Sequence, residues 1–184
     1  MKLRYNKHIV KYLIAQRLSD VDTMIIGVIG GASCSDEIYK IAEEVGKRIA
    51  ESGAILICGG LTGVMEAVCK GAKSAGGTTI GILPGTSKKD ANRYVDIPIA
   101  TGISFARNTI IVRTADVCIA VDGRYGTLSE IAFGLNVGTP IIALKTWDLP
   151  SAGSVDKNLF IVAKTPEEAI KLALKYGKQK ANVS

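Results

Sequence analysis

One arrangement recurs along this chain and leaves it few folds to choose from. A short apolar run closes on glycine, and a stretch with apolar residues at helical spacing follows. MIIGVIGG (residues 24–31) ends in a double glycine, and residues 36–52 then place Ile38, Ile41, Ala42, Val45 and Ile49 on one helical face. AILICGG (54–60) repeats the unit and leads into a helix over 62–74. TIGILPG (79–85) is a third strand and residues 86–96 are a polar surface loop. VDIPIA (95–100) is a fourth strand, which Pro98 assigns to an edge or irregular position. A helix from residue 107 to 114 precedes the apolar run VCIAV (117–121), and PIIAL (140–144) and LFIVA (159–163) supply two more strands. Thr165 and Glu168 then stand at capping-box spacing at the start of a helix ending near 176. Strands and helices alternating over the whole length predict an α/β fold, a Rossmann-like three-layer sandwich with a mostly parallel sheet.

Composition agrees. Apolar residues make up 47% and aromatics 5%, so the core is built from Val, Ile, Leu and Ala, as in sheets buried on both faces. A length of 184 residues suits one domain. The expected division is an amphipathic extension over 1–22, the main domain over 23–176, and a disordered basic tail over 177–184. Ile9, Val10, Leu13, Ile14 and Leu18 fall near helical spacing in the extension. With a mean hydropathy of +0.25, an apolar subunit interface and a homodimer or homotetramer are expected.

The net charge of +6 suggests nucleic acid until it is located. Residues 1–20 carry five Lys/Arg against one acid, and 164–184 carry five against two, which leaves 21–163 at −1. Solvated basic ends account for the charge better than a basic groove, and no nucleic-acid partner is expected. Cys34, Cys58, Cys69 and Cys118 form no CxxC pair and no ligand cluster with the lone His8, so no metal site is expected. Cys58, Cys69 and Cys118 read as buried reduced thiols, while Cys34 stands apart in a glycine-rich loop. No charge-free apolar run reaches the roughly 18–20 residues of a membrane span, and residues 1–13 lack a signal-peptide core. The expectation is a cytoplasmic protein without a membrane partner.

The turns carry the chemistry. DGRYGTLSE (122–130) follows the strand VCIAV and opens a helix. Gly123 and Gly126 admit a tight turn and a close ligand, Thr127 can cap the helix or offer its hydroxyl, and Glu130 lies one turn further in. This is a phosphate cradle with a carboxylate beside it, or a capped turn that binds nothing. Ligands of open α/β sheets sit beyond the carboxyl ends of strands, so the three glycine-rich turns should face one crevice. The first turn is not GxGxxG and the second strand ends without a ribose-binding acid, which argues against a dinucleotide dehydrogenase. GAKSAGGT (71–78) has no Walker lysine. There remains a set of backbone donors and hydroxyls suited to a phosphate on a nucleotide-sized ligand: Gly30, Gly31, Ser33, Ser35, Gly60, Thr62, Gly126 and Thr127. Arg107 could add a planar guanidinium clamp or be a plain surface arginine.

GGLTGVMEAVCKGAKSAGG (59–77), ARN (106–108) and GTLSE (126–130) occur in an order that resembles the LOG-like (SLOG) superfamily, whose members include cytokinin-activating phosphoribohydrolases. The wording is closest to the molybdenum cofactor carrier branch. In the hydrolase branch the motif is PGGxGTxxE, with a catalytic Glu and an Arg preceding a Lys. By that resemblance Glu130 and Arg107 are the catalytic pair if the chain is an enzyme, and Gly126 and Thr127 match the GT. This sequence has Asp122 for the Pro, Arg124 for the second Gly and Asn108 for the Lys. Arg124 puts a side chain where phosphate would meet bare backbone, and Asp122 sets a negative charge at the rim unless Arg124 pairs with it. The resemblance implies a binding protein for a phosphorylated nucleotide-like or pterin-type small molecule. No cofactor is required, and the bound species would be molybdenum cofactor or a nucleotide. The alternative is hydrolysis of the N-glycosidic bond of nucleoside 5′-monophosphates.

Overall fold

A computed structural model of the chain describes residues 23–149 and 156–181. The 1–22 extension, residues 182–184 and part of the loop after Trp147 lie outside the described residues. Seven strands form one sheet: β1 (Ile25–Gly30), β2 (Ile55–Cys58), β3 (Thr79–Leu83), β4 (Ile97–Ala100), β5 (Val117–Val121), β6 (Ile141–Leu144) and β7 (Phe160–Ala163). Every pairing is parallel, in the order β4-β3-β2-β1-β5-β6-β7. The α-helices are α1 (Asp36–Glu51), α2 (Val64–Ser74), α3 (Asn108–Thr114) and α4 (Tyr125–Asn136) between strands, and α5 (Pro166–Ala181) after β7. This is the three-layer α/β sandwich that the alternation predicts.

The strands are apolar on both faces because both faces are covered. Val117, Ile119 and Val121 of β5 pack with Val45 and Ile49 of α1, Val68 of α2 and Ala169 of α5. Cys118 and Ala120, pointing the other way, pack with Ile111 and Val112 of α3 and Ile131 of α4. Two helices approach unusually closely: a Cβ at Gly46 of α1 would lie 1.9 Å from the Val68 carbonyl oxygen, and one at Gly71 of α2 would lie 1.8 Å from that of Glu43. Glycine is therefore required on each helix at this crossing.

β4 is an edge strand whose Ile97 and Ile99 stay exposed, and Pro98 sits on it as expected. The polar stretch 86–96 contains a short 3-10 turn, Lys88–Asp90. The last helix continues past residue 176 to Ala181, which corrects the expectation of a disordered tail from 177. Lys and Gln in that stretch are good helix formers, and Gly177 packs against Met24 and Val117. At the helix start, Glu168 N–H donates to Thr165 Oγ1 (3.2 Å) and Lys164 N–H donates to the Glu168 carboxylate (2.8 Å), a capping arrangement shifted by one residue.

The order reverses between β1 and β5. Their register pairs Gly30 with Val121, so their carboxyl ends finish side by side and the turns after them flank a topological switch point. β2 lies on the far side of β1. Three glycine-rich turns thus open at one end of the sheet.

Candidate functional site

A pocket of about 280 Å³ opens at that end. Gly30 at the end of β1 with Gly31 after it, Gly59 after β2 and Gly126 after β5 all line it, so the three turns share one crevice. The turns are joined by their own polar groups. The Thr62 hydroxyl donates to the Ala32 carbonyl (2.7 Å) and Val64 N–H donates to the Gly31 carbonyl (3.0 Å). Asn92 reaches across from the polar loop to donate to the Gly60 and Leu61 carbonyls (3.1 and 2.8 Å).

At the inner end of the pocket are Arg107 and Glu130, each with 7% of its surface exposed. Arg107 closes a 3-10 turn, Ser104–Arg107, that runs directly into α3. Its guanidinium lies over Gly59, where a Cβ would meet Nη1 and Nη2 at 2.6 and 2.5 Å. Glycine at 59 is what lets the cation enter. Arg107 Nη1 is 3.9 Å from Glu130 Oε1, attractive but beyond hydrogen-bond distance. Arg107 Nε and Asn108 Oδ1 are both buried without a hydrogen-bond partner. Burial raises the Glu130 carboxyl to about 7, against a smaller opposing pull from Arg107. Burial likewise pushes the Arg107 guanidinium below its ordinary value, opposed by Glu130. A buried donor and a buried acceptor left unmatched are costly for a protein that binds nothing. Both residues belong to the pocket lining.

The outer wall is the start of α4. Its first intrahelical bond runs from Leu128 N–H to the Arg124 carbonyl (3.0 Å). The N–H groups of Tyr125, Gly126 and Thr127 are thereby left at the helix end, where an anion is favoured. A Cβ at Gly126 would meet nothing within 4 Å, so the glycine keeps the approach to those donors bare.

Of the residues expected from sequence, Gly30, Gly31, Ser33, Arg107, Asn108, Arg124, Gly126, Thr127 and Glu130 line the pocket. Four do not, and each has a structural job. Ser35 caps α1, accepting from Ile38 N–H at 3.3 Å. Thr62 ties the first two turns together. Gly60, at φ +72°, packs its Cα against Gly81 of β3. Gly123, at φ +101°, leaves room for the Thr127 side chain, which a Cβ would overlap. Thr127 itself makes no capping bond: it lies inside the first turn and is buried beneath Gly123. Arg124 is exposed at the N-cap position, and among the described residues no ion pair joins it to Asp122. Leu61, Met65 and Phe105 also line the pocket and carry no sequence signal that would set them apart from core or surface residues.

Cys58, Cys69 and Cys118 are buried and Cys34 is half-buried. Among the described residues no group of three or more His, Cys, Asp or Glu side chains could hold a metal ion. No described helix is long and apolar enough to cross a membrane.

Known proteins share both the fold and this stretch of chain. An uncharacterized protein of Archaeoglobus fulgidus is 50% identical over 148 residues, covering 80% of this chain and 92% of that one. The solved structure of the molybdenum cofactor carrier protein of Chlamydomonas reinhardtii superposes with a TM-score of 0.77 at 40% identity, covering 84% of this chain and 98% of that one. A cytokinin riboside 5′-monophosphate phosphoribohydrolase of Mycobacterium tuberculosis is 31% identical over 120 residues, 60% of this chain and 64% of the enzyme. The model of the SLOG cluster4 family matches residues 23–170, which takes in every strand and all the turns that build the pocket; the chain belongs to that family.

Proposed function

We propose that this protein is a binding protein for a phosphorylated small molecule of nucleotide-like or pterin type, with molybdenum cofactor as the leading candidate. The observation that carries this reading is Arg107, a buried cation that lines a pocket bounded by the open start of α4. One end of such a ligand is anionic and satisfies Arg107 or the α4 N–H groups. The residues fit the cofactor at that end, and the bare Gly126 gives its phosphate close access to backbone donors. Molybdenum cofactor, when bound, would bring redox-active metal chemistry to whatever enzyme later receives it. This chain's part is to bind and orient the phosphate and ring, and to shield them from water in the crevice. The similarity to the carrier of C. reinhardtii, over nearly the full length of that chain, supports the same reading. The exposed Arg124 at the rim adds a second cation suited to a highly charged ligand.

A second reading rests on Glu130. A carboxyl held at about 7 in a buried site is in the range of a working general base. In a phosphoribohydrolase, Glu130 would take a proton from water as the water oxygen bonds to the ribose anomeric carbon. The N-glycosidic bond would break, and the base would leave with its electron pair and collect a proton. Arg107 would hold the phosphate or balance the carboxylate. The similarity to the M. tuberculosis enzyme is in keeping with this chemistry. Asp122, Arg124 and Asn108, which replace the hydrolase motif residues, favour binding without turnover.

Incubation with AMP and GMP separates the two. A binding protein retains nucleotide through gel filtration, and chromatography detects no free base. Free adenine or guanine whose release disappears in Glu130→Gln would refute the carrier reading and establish the enzyme. Mass spectrometry of the species released on denaturing the purified protein identifies the natural ligand directly.

A further inference from the structure

We propose that Phe105 is a stacking platform for the planar ring of the bound molecule, an inference that rests on the ligand class proposed above. Phe105 is 80% exposed, yet it lines the same pocket as the buried Arg107 two residues on. The turn explains how neighbours can differ so much. With three residues per turn in a 3-10 helix, residues two apart leave the axis on different sides. Arg107 is driven inward over Gly59 while Phe105 stays at the mouth.

The turn is held rigidly in an unusual conformation. Ser104, a residue with a side chain, sits at φ +52°. Its N–H donates to the Pro84 carbonyl at 3.0 Å, and Gly102 N–H donates to the Gly85 carbonyl at 3.0 Å. The Thr101 hydroxyl donates to the Leu83 carbonyl at 2.7 Å. Three polar contacts therefore fasten the segment to the carboxyl end of β3, and Arg107 anchors its other end. A sparsely populated backbone conformation persists only where the surroundings enforce it, and such positions gather at ligand sites. Here the enforced turn presents a large apolar ring to solvent at a pocket rim. With the backbone beneath the ring fixed in advance, stacking costs only the rotation of the side chain.

The chemistry of the lining divides accordingly. Arg107, Asn108 and Glu130 are the polar part of the lining, while Met65, beside the guanidinium at Gly59, with Leu61 and the exposed Phe105 makes the apolar part. A phosphate alone has no use for the apolar part; a phosphate joined to a flat heterocycle does. Every aromatic base has a π-face, so the platform selects for a planar ring without reading its edge. Ile103 and Ile110 are exposed near Phe105 in sequence, so contact with a second copy of the chain is the competing account.

The test compares GMP with ribose 5-phosphate, which carries the same sugar and phosphate without the ring. Guanine shares its aminopyrimidinone ring with pterins. Calorimetry should show wild type binding GMP more tightly than ribose 5-phosphate. Phe105→Ala should weaken GMP by between about fivefold and a hundredfold and leave ribose 5-phosphate unchanged. Phe105→Trp should restore GMP binding. The platform is refuted if Phe105→Ala weakens both ligands equally, or neither, or if it lowers the molar mass in light scattering without changing the GMP preference. Wild type that binds both ligands equally also overturns it, while leaving the anion site standing. Wild type that binds neither refutes the proposed ligand class and the platform with it.

Discussion

Glu130→Gln should change the pH dependence of stability more than stability itself. The wild-type carboxyl moves from an ordinary 4.5 to about 7 on folding, with burial as the main cause and Arg107 opposing. An acid whose folded value lies above its unfolded value holds a proton in the native state that the unfolded chain has released. Below 4.5 both states are protonated and the group is neutral in this respect. Between 4.5 and 7 the unfolded chain binds fewer protons, so stability falls as pH rises. Above 7 both states are ionised and the full penalty is present. A difference of about 2.5 pH units at ~1.4 kcal/mol each amounts to roughly 3 kcal/mol.

Glutamine has the shape of the protonated acid and cannot ionise. The variant should resemble wild type near pH 4.5 and gain on it by roughly 3 kcal/mol by pH 8. For a chain of this length that is a difference of about 6–12 °C in Tm. Thermal melts of both proteins from pH 4.5 to 8.5, free of phosphate and sulfate, read it directly. Parallel curves, with a gap that does not depend on pH, would refute the reasoning. The buried carboxylate would then be stabilised by Arg107 as well as it is by water.

Other outcomes follow from the same geometry. Gly126→Ala should fold as stably as wild type, or gain up to ~1 kcal/mol from helix propensity, while weakening sulfate and nucleotide binding measured by calorimetry. Gly46→Ala or Gly71→Ala should destabilise by ~3 kcal/mol or more in urea titrations, because the added Cβ lands on backbone that must separate. Arg107→Ala should weaken a phosphorylated ligand by ~1.5–3 kcal/mol through loss of a charged hydrogen bond, seen in the GMP dissociation constant. The double change Asp122→Pro with Arg124→Gly restores the hydrolase motif. Free-base release that appears only in that variant, by chromatography of AMP reactions, would show that Arg124 alters the substrate position.

The sheet was legible because the central strands β1, β2, β5 and β6 are apolar throughout and end on glycine or at a turn. Such a pattern fits strands covered on both sides, whereas the outer β4 and β7 leave Ile97, Ile99 and Val162 exposed. Boundaries slipped where local chemistry was ambiguous. The helix expected from residue 62 starts at Val64, because Gly63 turns the chain first and Thr62 is spent on holding Ala32. The site was half legible. Glycine pairs announce a tight approach but not which member serves the ligand. In Gly59-Gly60 the first makes space for Arg107 and the second satisfies a positive φ against β3. A lone phenylalanine in a polar stretch has no periodicity, and its place at the mouth depends on the turn that Pro84 and Gly85 hold from another strand.

The separation of Arg107 and Glu130 is what makes the pocket a site instead of a closed ion pair. A bidentate contact between a buried arginine and a carboxylate would satisfy both and leave nothing for a ligand. At 3.9 Å, with Nε and the Asn108 oxygen unmatched, each group still lacks its best partner. An anion can take the guanidinium while Glu130 accepts a proton, so no like-charge repulsion develops inside the crevice. That exchange suits a protein that takes up and releases a charged molecule. In an enzyme the same arrangement demands an ionised Glu130 at the moment water is activated. Binding should therefore strengthen as pH falls through 7, whereas turnover should rise as pH climbs through it. Sulfate, which does not titrate in this range, serves as the binding probe. Sulfate affinity that is flat from pH 6 to 8.5 would remove the coupling between Arg107 and Glu130 from the argument.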